Sequence, residues 1–124
     1  MSAHSNANGI IVTPASVEKR LLDLSREVDQ AHEFLDKCEE DYYNAKAGLE
    51  IALATVRVRT NGSAVKYTVR DKEDYAVLEC ADLIRAVAIA EAKVRAARAN
   101  TNRIRTQVDI ARSIGTSVRA SMEI

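Results

Sequence analysis

The segment Val56-Arg57-Val58-Arg59-Thr60-Asn61-Gly62-Ser63-Ala64-Val65-Lys66-Tyr67-Thr68-Val69-Arg70-Asp71 decides the fold. It is the one internal stretch whose apolar residues do not recur at helical spacing. Val56, Val58, Val65, Tyr67 and Val69 alternate with polar residues, and Asn61-Gly62 between them suits a tight turn. A short basic loop or β-ribbon over residues 57–71 is therefore expected, at the bend of a long antiparallel helical hairpin.

The sequence on both sides supports that bend. On the N-terminal side, Val17, Leu21, Leu24, Val28, Ala31, Leu35, Cys38, Tyr42, Ala45, Leu49, Ala52 and Val56 are spaced alternately by four and three. This is a coiled-coil a/d pattern, with Leu21, Val28, Leu35, Tyr42 and Leu49 at a and small residues at the later d positions. On the C-terminal side a second series runs through Ala76, Cys80, Leu83, Val87, Ala90, Val94, Ala97, Thr101, Ile104, Val108, Ala111, Gly115, Val118 and Met122. Leu83, Val87, Val94, Ile104 and Val108 are its larger seam residues. Thr13-Pro14 reads as a helix start, with Thr as cap and Pro at the first helical position. The acidic run from Asp71 to Asp74 suits the start of the second helix.

The expected organisation is an all-α domain over residues 13–124. It comprises a helix over 14–56, the basic turn over 57–71 and a helix over 72–122. Residues 1–12 read as a disordered or docking tail, because Met1 to Asn8 offers almost nothing to bury. Gly9-Ile10-Ile11-Val12 either covers a helical seam or adds to a neighbouring subunit. Asn100-Thr101-Asn102 and Gly115-Thr116-Ser117 are weak helix formers. The heptad phase continues through both, so one bent helix is expected there. Ile84, Ala86, Ile89, Ile110 and Ile114 lie beside the second seam, and one partner helix cannot cover them all. Self-association into a homo-oligomer follows.

Composition narrows the function. The chain has 124 residues, 29% of them charged, 4% aromatic and none Trp, a mix that favours packed helices. Lys plus Arg equals Asp plus Glu, at 18 each. The charges are unevenly placed: residues 1–56 hold ten acids and five bases, and residues 75–124 hold eight bases and five acids. Neither a secretory leader nor a membrane-length apolar run is visible, so a cytoplasmic protein is expected. Cys38 and Cys80 have no metal or redox spacing and sit at seam positions, which makes them core thiols. In the hairpin, Cys38 lies opposite about Ala92, roughly 18 Å along the helix from Cys80, too far for a disulfide. His4 and His32 form no set with a nucleophile, and no Gly-rich phosphate loop is present. No catalytic residue, metal site or cofactor is expected.

The basic residues remain. Arg57, Arg59, Lys66 and Arg70 surround Tyr67. Cations beside a stacking aromatic are what sequence-tolerant binding of a single strand uses. The same pattern also fits a solvated loop whose tyrosine packs on the helices. Arg98, Arg105, Arg112 and Arg119 recur every seven residues, at e on one edge of the second helix. That stripe either pairs with the acids of the first helix or tracks phosphates.

A long acidic-to-neutral helix from Glu18 to Thr55, the pair Arg57-Val58-Arg59, the loop Asn61-Gly62-Ser63 and a basic second helix from Asn102-Arg103-Ile104-Arg105 through Ser121 form a recognisable layout. It resembles the phage recombination mediator proteins (UvsY-like). Thr60 stands where that family carries a leucine. The resemblance implies a ring-like homo-oligomer that binds single-stranded DNA through Arg57 and Arg59. It also implies displacement of a single-strand-binding protein, loading of a recombinase and a host-cytoplasmic location. The competing expectation is a structural or protein-binding coiled-coil module, of phage assembly or host interaction, that binds no DNA.

Overall fold

The computed structural model describes residues 4–5, 11–63 and 66–122. The protein is all-α in its body. Helix α1 spans Pro14–Asn61, α2 spans Val69–Glu79 and α3 spans Ala81–Met122. Ahead of them, the two-residue strands β1 (His4–Ser5) and β2 (Ile11–Val12) pair antiparallel, with His4 opposite Val12. Of the expected tail over residues 1–12, these four positions pair locally and the rest lies outside the described residues. The chain divides into two compact units rather than one. Unit 1 is Met1–Phe34 with Arg98–Ile124, and unit 2 is Leu35–Ala97.

The start of α1 is capped as the sequence implies. Ser16 N–H donates to Thr13 Oγ1 at 3.1 Å, and Thr13 N–H donates to Ser16 Oγ at 2.9 Å. This reciprocal pair satisfies backbone donors that the first turn would otherwise leave open.

In unit 1, Leu24, Ala31, Ile104 and Ala111 form a buried cluster, with Leu21, Val28 and Val108 packed against it. A Cβ built on Gly115 would lie 3.0 Å from Val17, and Arg105 reaches His32. Contacts therefore step down α3 as they step up α1, so the two segments of this unit run antiparallel. In unit 2, Cys38, Val94 and Ala97 form one cluster, with Leu35 and Tyr42 beside it. A second joins Val56, Ala76 and Cys80, flanked by Leu49, Ala52, Leu53 and Ile84. Every residue of the first heptad series is buried or half-buried. Cys38 packs on Val94, close to the expected Ala92, and both cysteines are buried free thiols.

Three expectations are corrected. First, residues 57–61 are helical, so α1 ends at Asn61 rather than at 56 and no β-ribbon forms across Val56 and Val58. Val56 is buried against Ala76 and Cys80, and Thr60, one turn on, is 4% exposed with its hydroxyl donating to the Arg57 carbonyl at 3.1 Å. Burial along the helix overrides a five-residue polar alternation. The helix runs out as Gly62 N–H closes onto Val58 O at 3.0 Å and Ser63 N–H onto Thr60 O at 3.4 Å. Ala64 and Val65, part of the expected turn, lie outside the described residues.

Second, helix resumes at Val69, earlier than residue 72. Thr68 is its N-cap, with extended backbone, and accepts from Asp71 N–H at 3.1 Å. Third, the expected helix over 72–122 is interrupted at Cys80, whose N–H reaches the carbonyls of Ala76 and Leu78. At the interruption the departure from the expected series is confined to one position, and from Val87 to Val118 the series residues are again buried or half-buried. Ile84 packs on the Val56 cluster, whereas Leu83, expected in the seam, is 42% exposed. Beyond it α3 runs without a break through Asn100-Thr101-Asn102 and Gly115.

Two substitution pairs test this packing. Leu24 is 1% exposed. Leu24→Ala should cost about 2–5 kcal/mol in urea unfolding, while Leu22→Ala, at an exposed position, should stay within about 0.5 kcal/mol. Gly48 has open space at its Cβ position, whereas Gly115 meets Val17. Gly48→Ala should stabilise by about 0.5–1 kcal/mol, and Gly115→Ala should gain clearly less because Val17 must move.

Candidate nucleic-acid interface

In unit 2 the end of α1 and the start of α2 bring the basic residues together. Arg57 and Arg59 lie in the last turns of α1, Lys66 and Tyr67 in the connection, and Arg70 in the first turn of α2. The antiparallel course fixes their partners. Arg59, predicted as a phosphate contact, forms an ion pair with Glu79. Hydrogen bonding to Arg59, and then to Tyr75, holds the Glu79 carboxyl below its ordinary range. The bond to Glu79 raises the Arg59 guanidinium further, and its bond to Glu79 likewise raises the Tyr75 phenol. Arg59 is therefore a tie between α1 and α2, with its charge balanced on the spot.

Tyr67 is half-buried, its ring 6.1 Å from that of Tyr75 at an interplanar angle of 31°. One side of the ring is thus engaged within the chain. Lys72, which sequence reading passed over, donates to Asn61 Oδ1 at 2.8 Å and so closes the end of α1 onto α2. The cations left facing water are Arg57, Lys66 and Arg70, all exposed. Among the described residues none of the three pairs with a carboxylate. Arg57 also borders an open cavity of about 530 Å³ that Leu53, Val69 and Val77 line together with Lys72 and Glu73.

The arginine stripe of unit 1 makes contacts of several kinds. Arg105 Nη2 lies 2.9 Å from His32 Nε2. A guanidinium can only donate, so in this contact the ring nitrogen is the acceptor. Arg105 and Arg112 border a groove that Asp29 and Asp109 also line, and neither arginine forms an ion pair there among the described residues. Arg119 Nε donates to the Gly115 carbonyl at 3.3 Å, folding back on its own helix. Arg98 is exposed. Arg105 and Arg112 thus share their groove with carboxylates and do not form a surface of one sign.

Sequence reasoning missed Tyr75, Glu79, Lys72 and His32. Their partners lie eight, 20, 11 and 73 residues away, respectively. The antiparallel register alone, with Cys38 opposite about Ala92, sets Arg59 opposite about residue 71, some two turns short of Glu79. No group of His, Cys, Asp and Glu suited to a metal occurs among the described residues. Among the described residues no helix is long and apolar enough to cross a membrane.

The Glu79 cluster predicts an acid-side effect. Because its folded-state pKa is depressed, the stabilising contribution is complete above the ordinary carboxylate range and is lost as pH falls through the lowered value. Thermal unfolding followed from neutral pH to about pH 3 should show a loss of melting temperature that Glu79→Gln makes shallower. An unchanged slope would show that Glu79 does not report this contact.

Compared with known proteins, the chain matches no family model, no curated protein and no solved structure.

Proposed function

We propose that the chain is a non-enzymatic, single-stranded-DNA-binding accessory protein of the recombination-mediator kind. In this reading α1 folds back on α2 and α3 as a coiled-coil-like helical hairpin, and the hairpins assemble into a homo-oligomer in the cytoplasm. Each copy offers one small cationic tip. Assembly multiplies weak contacts through effective concentration, so that the oligomer holds a strand, displaces a single-strand-binding protein and presents the strand to a recombinase. The observation that carries the reading is the set Arg57, Lys66 and Arg70, exposed around one helix junction with no carboxylate partner among the described residues. Tyr67 beside them offers an aromatic face for a base. Arg98, Arg105 and Arg112 would add a second, weaker track, tempered by Asp29 and Asp109.

A second reading has its own support. Large apolar side chains such as Phe34, Ile51 and Ile110 are more than half exposed on the same helices. That favours a structural or protein-binding helical module that needs no DNA.

Fluorescence anisotropy with a labelled oligothymidylate separates the two. Binding is expected at about 50 mM salt and should weaken steeply as salt rises. Arg57→Ala with Arg70→Ala should lower affinity and flatten the salt slope by about 1.4, near 0.7 for each lost phosphate contact. Arg59→Ala should instead lower thermal stability, since it unties Glu79. Absence of binding at low salt leaves the protein-binding module as the function.

A further inference from the structure

The heptad register gives the helix pair of unit 1 two flanks of different character. The flank at b and e positions is ionic, with Asp29 and His32 on α1 and Arg105, Asp109 and Arg112 on α3. The flank at c and g positions is charged too, through Arg20, Asp23, Glu27 and Arg103, but adds large exposed apolar residues on both helices. On α1 it carries Phe34, 59% exposed, and on α3 Ile110 and Ile114, 55% and 44% exposed. Ile110 and Ile114 are one turn apart and adjacent on the helix surface. Phe34 stands at the rim of an open groove of about 460 Å³, with Ala31 and Ile104 in its floor and Gln107 in its wall.

We propose that this c/g flank of unit 1 is the surface on which a second copy of the chain docks. Two observations select a second copy over another occupant. The flank carries both signs of charge around its apolar anchors: Arg20 and Glu27 on α1 and Arg103 on α3 border the groove. Arg20 and Glu27 approach each other only to 3.8 Å. A face of mixed sign complements itself about a two-fold axis, because each cation can meet the partner's acid. A strand of nucleic acid would call for one sign only. The chain's formal net charge is also zero, so two copies meet without long-range repulsion. Phe34, Ile110 and Ile114 then leave water together, and the charged residues form the rim.

The interface rests on the self-association in the proposed function but not on its nucleic-acid part. Sedimentation velocity on the full chain tests it directly. The protein should be oligomeric at about 50 µM, and Ile110→Asp with Ile114→Asp should weaken self-association by at least about tenfold. Helical circular dichroism should be retained, because both side chains are roughly half exposed. Phe34→Asp tests the α1 side in the same way. Leu22→Asp, on the ionic flank, should leave the assembly intact. A monomeric wild-type chain overturns the inference. So does an oligomer that survives both flank variants, or one that Leu22→Asp dissolves equally well. An absent signal in the DNA titration overturns only the nucleic-acid reading.

Discussion

Everything in this protein depends on how little side chain lies along the buried seam. Ala31, Cys38, Ala97, Ala111 and Gly115 all occupy it, and the Cβ position of Gly115 lies 3.0 Å from Val17. Small residues let backbones approach, and approach multiplies contacts that are individually weak. The cost is a narrow core. Within each unit only the inward stripe of each helix is covered, and residues one position to either side stay partly in water. The buried Thr101 shows how closed that stripe is: it is 2% exposed, and no buried side-chain polar atom among the described residues lacks a partner.

The seam was legible in the sequence because its period is long and repeated. The four-three spacing from Val17 to Val56 named the buried positions without exception, and Thr13-Pro14 marked the start of α1. What the pattern could not show was where covering stops. Val56, Val58, Val65, Tyr67 and Val69 alternate for too few residues to outweigh a seam that continues through Val56 to Thr60. The interruption at Cys80 was equally hidden. Past it Ile84, not Leu83, meets the Val56 cluster, a contact set in three dimensions. The candidate site was readable as a list of cations, but not which of them keep their charge to themselves.

That distinction comes from register. Arg57 and Arg59 are two residues apart on one helix, so their side chains leave it in different directions. One meets Glu79 and becomes structural; the other faces water. The same rule governs α3, where arginines seven residues apart share an edge but not a fate. Arg105 leans on the His32 imidazole, and Arg119 curls back onto the Gly115 carbonyl of its own helix. In the groove of unit 1 the acids and bases do not meet residue by residue. Asp29 and Asp109 moderate a groove instead of clamping it.

The two thiols of unit 2 give its core a built-in chemical clock. Cys38 sits among Leu35, Tyr42, Val94 and Ala97, and Cys80 among Val56, Ala76 and Ile84. Neither can meet a reagent from solvent while its cluster is closed, and thiolate chemistry requires access. The rate at which each sulfur reacts therefore measures how often its own cluster opens. Because the residues lie in separate clusters, the two rates report the breathing of two neighbourhoods within one small unit.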